Sequence, residues 1–366
     1  LMIDRTRLRP SAASPSIDAS RTPSRPLALR FRCRAGLAPL VASELDGSFA
    51  PKIASPSAVD AVLTRALDAC FMSRCALDFG FVVPPEPVLD GDIAGAVVRG
   101  LVSARSILAE LEPPPHRFRI SWSEGGHKRG AVWKIAEAAR AASADLVNDP
   151  TASAWEVVVR EKSHKKGDPL DIDLLLVPSS LADPRFSYRV ADVPAASHPT
   201  LAAALARVAG ARDDDVVWDP FVGSGTELIE RAKIGKFARA FGTDTDERAL
   251  KAARENLKAA GVSAGVISGD ALSHRAEDVS LVITNPPMGR RVHRGADLHV
   301  LLDRFLDHAA SVLVPGGRIA WISPLPARTA EHAKKLGLVQ ERGIEVDMGG
   351  FSGQIQLLSR PRRKSK

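Results

Sequence analysis

Short apolar strands alternate with helices in the second half of this chain, and polar residues stand where the strands end. The strand VVWD ends on Asp219, FGTD ends on Asp244, and VSLVIT is followed by Asn285. Parallel strands need helical crossovers, so this alternation predicts a mainly parallel sheet covered by helices. The carboxyl ends of such strands share one edge, where these sheets bind ligands. Residues 196–359 are therefore predicted to form one α/β domain with a site at that edge.

The first half, residues 27–195, has a different pattern. Strand and helix signals are mixed there, which predicts an α+β region with a separate core. The predicted strands are 27–33, 117–123, 155–161 and 171–177, and the predicted helices are 36–45, 92–111 and 131–147. A basic loop, GGHKRG, precedes the last of these helices.

The net charge of +7 is concentrated at the two ends of the chain. Residues 1–35 carry +6 and residues 360–366 carry +5, which leaves −4 for the rest. We interpret 1–26 as a disordered basic arm and 360–366 as a basic tail, either solvated or in nonspecific contact with nucleic-acid phosphates. The Arg- and Ser-rich arm also resembles a transit peptide, so an organellar location is the alternative to the cytoplasmic one that we expect.

Composition argues against a membrane or disulfide-stapled protein. Apolar residues make up 45% and charged residues 25% of the chain, and no apolar run approaches the roughly eighteen residues of a membrane span. Cys33, Cys70 and Cys75 are too few and too irregular for a disulfide framework, and they lack the spacing of a zinc site. We predict reduced core cysteines, no metal and no membrane partner.

The first strand of the second half runs directly into the glycine loop DPFVGSGTELIERA, residues 219–232. Gly223 and Gly225 allow a tight turn and close approach to a ligand, and the amides that open the next helix favour an anionic group. The loop is neither the GxGxxG nor the GxxxxGK[ST] type. At the next strand ends, Asp244 is placed to accept ribose hydroxyls and Asp270 an adenine amine, although each alone also suits a helix N-cap.

The segment TNPPMGRR, residues 284–291, forms a rigid elbow after the fourth strand. Two oxygen acceptors at such an elbow suit a planar amine, which is a poor nucleophile because its lone pair is delocalised. The side-chain oxygen of Asn285 and the carbonyl of Pro286 would each accept one amine hydrogen and favour a tetrahedral nitrogen. Pro286 and Pro287 would fix the aim of these acceptors, and a plain strand-ending turn is the structural alternative.

The series DPFVGSGT, GTDTD, GDA and TNPPMGRR resembles the class I methyltransferases that bind S-adenosylmethionine, and it is most similar to the THUMP-domain RNA guanine-N2 methyltransferases. The resemblance covers residues 197–358 well and the first half more weakly. It implies a Rossmann-like domain with a mainly parallel seven-stranded sheet, preceded by an α+β THUMP-like RNA-binding region. The cofactor-binding residues that it implies are Asp219, Phe221, Gly223, Gly225, Asp244, Asp270 and Ala271.

The residues that follow Pro287 are predicted to contact the substrate. Related amino-methyltransferases usually have an aromatic residue at the position of Met288, where it stacks on the target, and a thioether covers a base less strongly. Basic residues after the elbow and in the first-half loop are predicted to contact RNA phosphates. They are Arg290, Arg291, Arg294, Lys128 and Arg129.

The resemblance implies methylation of the N2 amine of a guanosine, with Asn285, Pro286, Pro287 and Met288 as the catalytic elbow. We expect tRNA as the substrate because the resembling tRNA enzymes share a short connection between the glycine loop and the second strand; ribosomal RNA is next. Adenine-N6 methylation, protein-glutamine methylation and a non-catalytic RNA-binding relative are the alternatives. The glutamine enzymes begin with a small helical bundle, unlike the α+β region here. The oligomeric state is left open.

Overall fold

The computed structural model describes residues 17–124, 129–163, 170–194, 196–288 and 296–362. The chain forms two compact units. The first contains the chain through Cys33 and Val41–Pro184, and the second contains Arg34–Leu40 and Arg185–Lys366. The second unit thus begins before the boundary predicted at residue 196, and it includes a segment from near the start of the chain.

The first unit is an α+β structure built on an eight-stranded sheet. The strand order is β2-β3-β1-β4-β8-β7-β5-β6, and all pairs are antiparallel except β5 with β6 and β5 with β7. The elements from this part of the chain are β1 (Leu27–Cys33), α1 (Ala38–Glu44), β2 (Lys52–Ser55), β3 (Ala58–Leu63), β4 (Ala76–Pro87), α2 (Ile93–Leu111), β5 (His116–Trp122), α3 (Arg129–Ala142), β6 (Leu146–Asn148), β7 (Trp155–Ser163) and β8 (Leu170–Pro178).

Helix α3 is shorter than the sequence pattern predicts. The alanine-rich run favours a helix through residue 147, but the helix ends at Ala142. Leu146 instead opens β6 and pairs with His116 of β5, and the His116 amide donates to the Asp145 carbonyl at 2.8 Å. Pairing with the sheet overrides the helical propensity of this segment.

The second unit contains a seven-stranded sheet in the order β11-β10-β9-β12-β13-β15-β14. The first five of these strands are mutually parallel, whereas β15 runs antiparallel to both β13 and β14. The elements are α4 (Pro199–Ala209), β9 (Val216–Asp219), α5 (Thr226–Lys233), β10 (Arg239–Asp244), α6 (Glu247–Ala260), β11 (Gly265–Ser268), β12 (Val279–Thr284), α7 (Ala296–Val312), β13 (Leu313–Ser323), α8 (Pro326–Lys335), β14 (Val339–Asp347) and β15 (Ser352–Ser359). The predicted mainly parallel seven-stranded sheet is confirmed.

Aromatic and aliphatic side chains on the sheet pack against α7 and form the core of this unit. Trp218 of β9 and Trp321 of β13 are fully buried with Phe305 of α7, and the Phe305 and Trp321 ring centroids lie 5.6 Å apart. Strands buried on both faces read as continuous apolar runs, as VSLVIT does. The rigid sheet therefore fixes the positions of the side chains that follow its parallel strands.

A buried ionic network ties the start of β9 to its neighbours. Asp215 accepts hydrogen bonds from Arg231 at 2.7 Å and from both terminal nitrogens of Arg318 at 2.8 Å. Burial opposes ionisation of Asp215, but the hydrogen bonds from the two arginines outweigh it and hold the pKa of Asp215 well below its usual value. Arg318 also donates to the carbonyls of Ala209 and Gly210. One carboxylate thus connects β9, α5, β13 and the end of α4.

The three cysteines are buried free thiols, as predicted. Burial raises the pKa of Cys33 to about 12, so its thiolate form is scarce at neutral pH. Within the described residues, the helices are too short or too polar to cross a membrane.

Candidate active site

The glycine loop lies between β9 and α5. Gly223 has φ +50° and Gly225 has φ +79°, a region in which side chains other than glycine are strained. Gly225 caps α5, and its amide donates to the Val222 carbonyl at 2.7 Å. The loop is held against the next strand because the Val222 amide donates to the Thr243 carbonyl at 2.9 Å. The predicted close turn is therefore present.

Asp244 ends β10 and contacts the glycine loop directly. Its Oδ2 accepts from the Gly223 amide at 3.1 Å, and its Oδ1 accepts from the Asp246 amide at 3.0 Å. The Gly269 amide donates to the Asp244 carbonyl at 3.1 Å, which brings the loop after β11 to the same edge. There Asp270 is exposed and accepts from the Leu272 amide, while Ala271 is buried.

Asp219, the last residue of β9, is fully buried. Its Oδ1 accepts from the Thr284 hydroxyl at 2.7 Å and from the Phe221 amide at 3.2 Å. Its Oδ2 is buried and has no hydrogen-bond partner among the described residues. A buried acceptor of this kind is costly unless a ligand satisfies it.

Asn285 follows β12 directly. The residue before it, Thr284, donates its hydroxyl to Asp219 and so connects the elbow to the end of β9. The Asn285 Nδ2 donates to the Ser197 hydroxyl at 2.8 Å, whereas its Oδ1 is buried without a partner in the described part of the chain. Pro286 is buried, and Pro287 and Met288 are partly buried. The elbow therefore presents a second unsatisfied oxygen, on the residue after the threonine that donates to Asp219.

Three residues that the sequence did not single out complete this arrangement: Ser197, Glu227 and Thr284. Ser197 precedes α4 and donates its hydroxyl to Glu227, which lies in the first turn of α5. Glu227 was visible only as an acidic residue near a helix start, a common and weak signal. No sequence pattern pairs Ser197 with Asn285, because they are far apart along the chain.

The carboxyl groups of Asp219, Glu227 and Asp244 lie close enough to repel one another when ionised, and Asp219 and Glu227 are buried. Burial raises the pKa of Asp219 well above its usual value, and the charges of Glu227 and Asp244 raise it further. Burial likewise raises the pKa of Glu227 to about 7, although the hydrogen bond from Ser197 opposes this shift. Such clustered acids favour a ligand that brings positive charge.

Two predicted residues have different surroundings. The Phe221 ring packs edge to face on Phe305, with centroids 5.3 Å apart, so the ring contacts the core and its amide contacts Asp219. Arg129 is exposed at the start of α3 in the first unit. Lys128, Arg290, Arg291 and Arg294 lie outside the described residues.

These residues fit a cofactor that joins an amino acid to a nucleoside. The unsatisfied Asp219 carboxylate suits an ammonium group, and the turn at Gly223 and Gly225 leaves room for close approach of a carboxylate. Asp244 has oxygen lone pairs that remain for ribose hydroxyls.

The strand order, the glycine loop and the polar strand ends together define a class I methyltransferase domain. Residues 187–350 match the family described as UPF0020: RMKL-like, methyltransferase domain. This match lies within the second unit, and the fold predicted from the sequence is confirmed.

Known proteins show the extent of this similarity. The chain is 36% identical over 166 residues to the tRNA (guanine(6)-N2)-methyltransferase of Thermus thermophilus, covering 44% of this chain and 49% of the relative. It is 33% identical over 159 residues to the bovine U6 snRNA (guanine-N(2))-methyltransferase THUMPD2, covering 42% of this chain and 29% of the relative. The chain thus spans about half or less of the length of these curated relatives.

A solved structure resembles the chain over both units. The crystal structure of TrmN from Thermus thermophilus superposes with a TM-score of 0.68 at 26% sequence identity, and the match covers 91% of this chain and 99% of that chain. The similarity therefore extends beyond the methyltransferase domain into the first unit.

Proposed function

We propose that this chain is an S-adenosylmethionine-dependent RNA methyltransferase that methylates the exocyclic N2 amine of a guanosine, with tRNA as the preferred substrate. The observation that carries the proposal is the buried Asn285 Oδ1, an acceptor without a protein donor in the described structure. It follows Thr284, whose hydroxyl donates to Asp219 Oδ1, while Asp219 Oδ2 likewise has no donor among the described residues. The names of the Thermus and bovine relatives support guanine as the base.

When bound, S-adenosylmethionine supplies a methyl group on a sulfonium sulfur. Asp219 would bind its amino group, the amides of the glycine loop its carboxylate, and Asp244 its ribose hydroxyls. Asp270 would accept from the adenine amine, with Ala271 beside it. The protein thus holds the cofactor through the residues that its fold brings to the sheet edge.

On the target side, Asn285 Oδ1 and the Pro286 carbonyl each accept one hydrogen of the guanine N2 amine. These two bonds would hold the nitrogen with its lone pair free to accept the methyl group that S-adenosylmethionine supplies. The nitrogen would become acidic only after it has been methylated, so its proton would leave last, to solvent water, and no strong base would be needed. Met288 would cover the base with its thioether.

The first unit is proposed to be a THUMP-like RNA-binding region. Its support is the similarity to TrmN along nearly the whole chain and the exposed Arg129 at the start of α3. The contacts proposed for Lys128, Arg290, Arg291 and Arg294 remain predictions from the sequence. Phosphate contacts of this kind position an RNA without specifying its sequence.

The test is transfer of labelled methyl groups from S-adenosylmethionine to separated tRNA, ribosomal RNA and small nuclear RNA, followed by nucleoside analysis. We expect labelled N2-methylguanosine in the tRNA fraction. Labelled N6-methyladenosine, or label only in protein, would overturn the guanine assignment. N2-methylguanosine found only in ribosomal or small nuclear RNA would overturn the choice of tRNA.

A further inference from the structure

Two successive hydrogen bonds connect the side chains of Asn285, Ser197 and Glu227, which belong to three separate parts of the fold. Asn285 follows β12, Ser197 precedes α4, and Glu227 lies in the first turn of α5. The Asn285 Nδ2 donates to the Ser197 hydroxyl oxygen at 2.8 Å, and the Ser197 hydroxyl donates to Glu227 Oε1. Glu227 is buried, so this carboxylate has little access to competing water donors.

The donor and acceptor in each of these two hydrogen bonds follow from the chemistry of the three side chains. Above its pKa of about 7, Glu227 is a carboxylate that only accepts, so the single hydroxyl proton of Ser197 points to Glu227 and its lone pairs face the Asn285 amide. An Asn285 side chain rotated by half a turn would place Oδ1 against an oxygen whose proton is already committed. The observed orientation leaves Nδ2 toward Ser197 and Oδ1 as the buried atom without a partner.

We propose that Ser197 and Glu227 are positioning residues that keep the amide oxygen of Asn285 available to the target amine. The inference rests on the proposed function of the site, because it concerns the acceptor used in that reaction. Neither residue contacts the target; both act through the orientation of Asn285. Ser197 is the cleaner probe, since Glu227 also lies close to Asp219 and the glycine loop.

The activity test compares Ser197→Ala and Ser197→Thr with Ser359→Ala. Ser359 is the matched control because its hydroxyl also donates to a glutamate, Glu341. This pair lies on β15 and β14, at the end of the strand order and away from β9 and β12. We expect Ser197→Ala to lower kcat by about 10-fold, the effect of losing one orienting hydrogen bond, with the cofactor Kd changed by less than about 2-fold. Ser197→Thr keeps the hydroxyl and should recover most of kcat. Unchanged kcat in Ser197→Ala would overturn the proposal.

A second readout does not depend on activity. The chain has three asparagines, Asn148, Asn256 and Asn285, so side-chain [15N]asparagine labelling gives three amide signal pairs. Asn256 accepts from the Val190 and Ala191 amides and donates to the Ala191 and Ser224 carbonyls, which makes it an internal reference for folding. We expect Ser197→Ala to shift only the Asn285 pair, assigned with Asn285→Asp, and Ser197→Thr to restore it.

Glu227→Gln provides a second variant. A glutamine both donates and accepts, so it no longer forces the Ser197 proton in one direction. We expect an Asn285 signal shift and a kcat between those of the wild type and Ser197→Ala. If Asn285 signals stay in place in both variants, the inference fails. If the signals move but the wild-type protein methylates no RNA, the proposed function fails while the hydrogen-bonded orientation stands.

Discussion

Asn285 combines a fixed donor and an unsatisfied acceptor in one side chain, so its removal tests the chemistry most directly. Asn285→Ala deletes the acceptor but leaves Asp219, Gly223 and Asp244 in place. We expect methyl transfer to fall by at least about 100-fold, as it does when a preorganised polar group is lost from other active sites. Calorimetric titration with S-adenosylmethionine should give a Kd within about 2-fold of wild type. Near-normal turnover would contradict the mechanism.

Met288 is the residue whose substitution measures the contribution of stacking. A phenylalanine there presents a flat π-face to the base, and base–aromatic stacking contributes about 1–3 kcal/mol. We expect Met288→Phe to lower the KM for RNA with little change in kcat, measured by steady-state methyl transfer. Met288→Leu is the control, because it keeps an aliphatic side chain without a ring. Complete loss of activity in Met288→Phe would show that the pocket is shaped for methionine.

Glu227 should make the free protein less stable as the pH rises. Its pKa is about 7 in the folded chain, above the ordinary glutamate value of 4.5, so the folded state binds the proton more tightly. The free energy of unfolding therefore falls as the pH rises from about 4.5 to about 7 and then levels off. Glu227→Gln removes this contribution and should be the more stable protein at pH 8, by on the order of 1–3 kcal/mol.

Urea titrations at several pH values between 5 and 8 measure this difference. The exposed Glu331, whose pKa is lowered by a hydrogen bond from Lys335, is the control: Glu331→Gln should keep the wild-type decline. Subtracting the two pH profiles cancels the groups that titrate alike in both proteins, but it retains the change in Asp219, whose pKa the Glu227 charge raises. If the free energy of unfolding of Glu227→Gln declined with pH as steeply as that of the wild type, the raised pKa of Glu227 would be contradicted.

Asp219, Asp244 and Asn285 at the strand ends were predicted from the sequence, whereas Ser197, which precedes α4, and Glu227, in the first turn of α5, were not. The placement of the strand-end residues at one site could be predicted because the carboxyl ends of parallel strands lie at one edge of the sheet. Ser197 and Glu227 could not, since their contact depends on how α4 and α5 pack in three dimensions. A serine before a helix and an acid in a first turn are common, so their pairing carries no sequence signal.

At the scale of elements, the glycine loop depends on a glycine in the neighbouring strand. A Cβ added to Gly242 of β10 would lie 2.4 Å from Val222 Cγ2, inside the loop that precedes α5. Gly242→Ala should therefore displace the loop, weaken S-adenosylmethionine binding by about 10-fold or more and destabilise the protein by about 1–3 kcal/mol. Calorimetric titration and urea unfolding measure the two effects.

Gly261 gives the control for this substitution. It caps α6 at φ +66°, and its added Cβ would meet no atom within 4 Å. Gly261→Ala should cost about 1 kcal/mol through backbone strain and leave cofactor binding unchanged. Equal cofactor affinities in Gly242→Ala and the wild type would show that the loop does not depend on this contact.

The strands that escaped sequence prediction have physical reasons in common. Strands β2 and β3 are short and mix polar with small apolar residues, so their period is weak. Strand β4 contains Pro84 and Pro85, which argue against a strand interior. The structure accommodates them at a register shift between Val83 and Glu86, where β4 pairs with β8. A bulge of this kind cannot be placed without knowing the partner strand.

At the scale of the whole molecule, the division of the chain was only partly predictable. The change from mixed to alternating elements indicates two units, but the sequence offers no sign that residues 34–40 belong with the second. That assignment depends on backbone contact: the Asp347 amide donates to the Ala35 carbonyl at 3.1 Å. Because main-chain groups are common to every residue, such a contact leaves no trace in residue types.

The Asp215 network should control the stability of the second unit as a whole. Arg231 is fully buried and Arg318 nearly so, and both depend on the same carboxylate. Asp215→Ala leaves two buried guanidinium groups without their anion, which destabilises a protein by about 3–5 kcal/mol even though the intact network adds little net stability. Because Asp215 connects β9, α5 and β13, the loss should appear in urea unfolding followed by Trp218 and Trp321 fluorescence. Glu331→Ala removes an exposed ion pair with Lys335 and should not measurably change that transition; an equally small effect of Asp215→Ala would mean that water replaces the missing carboxylate.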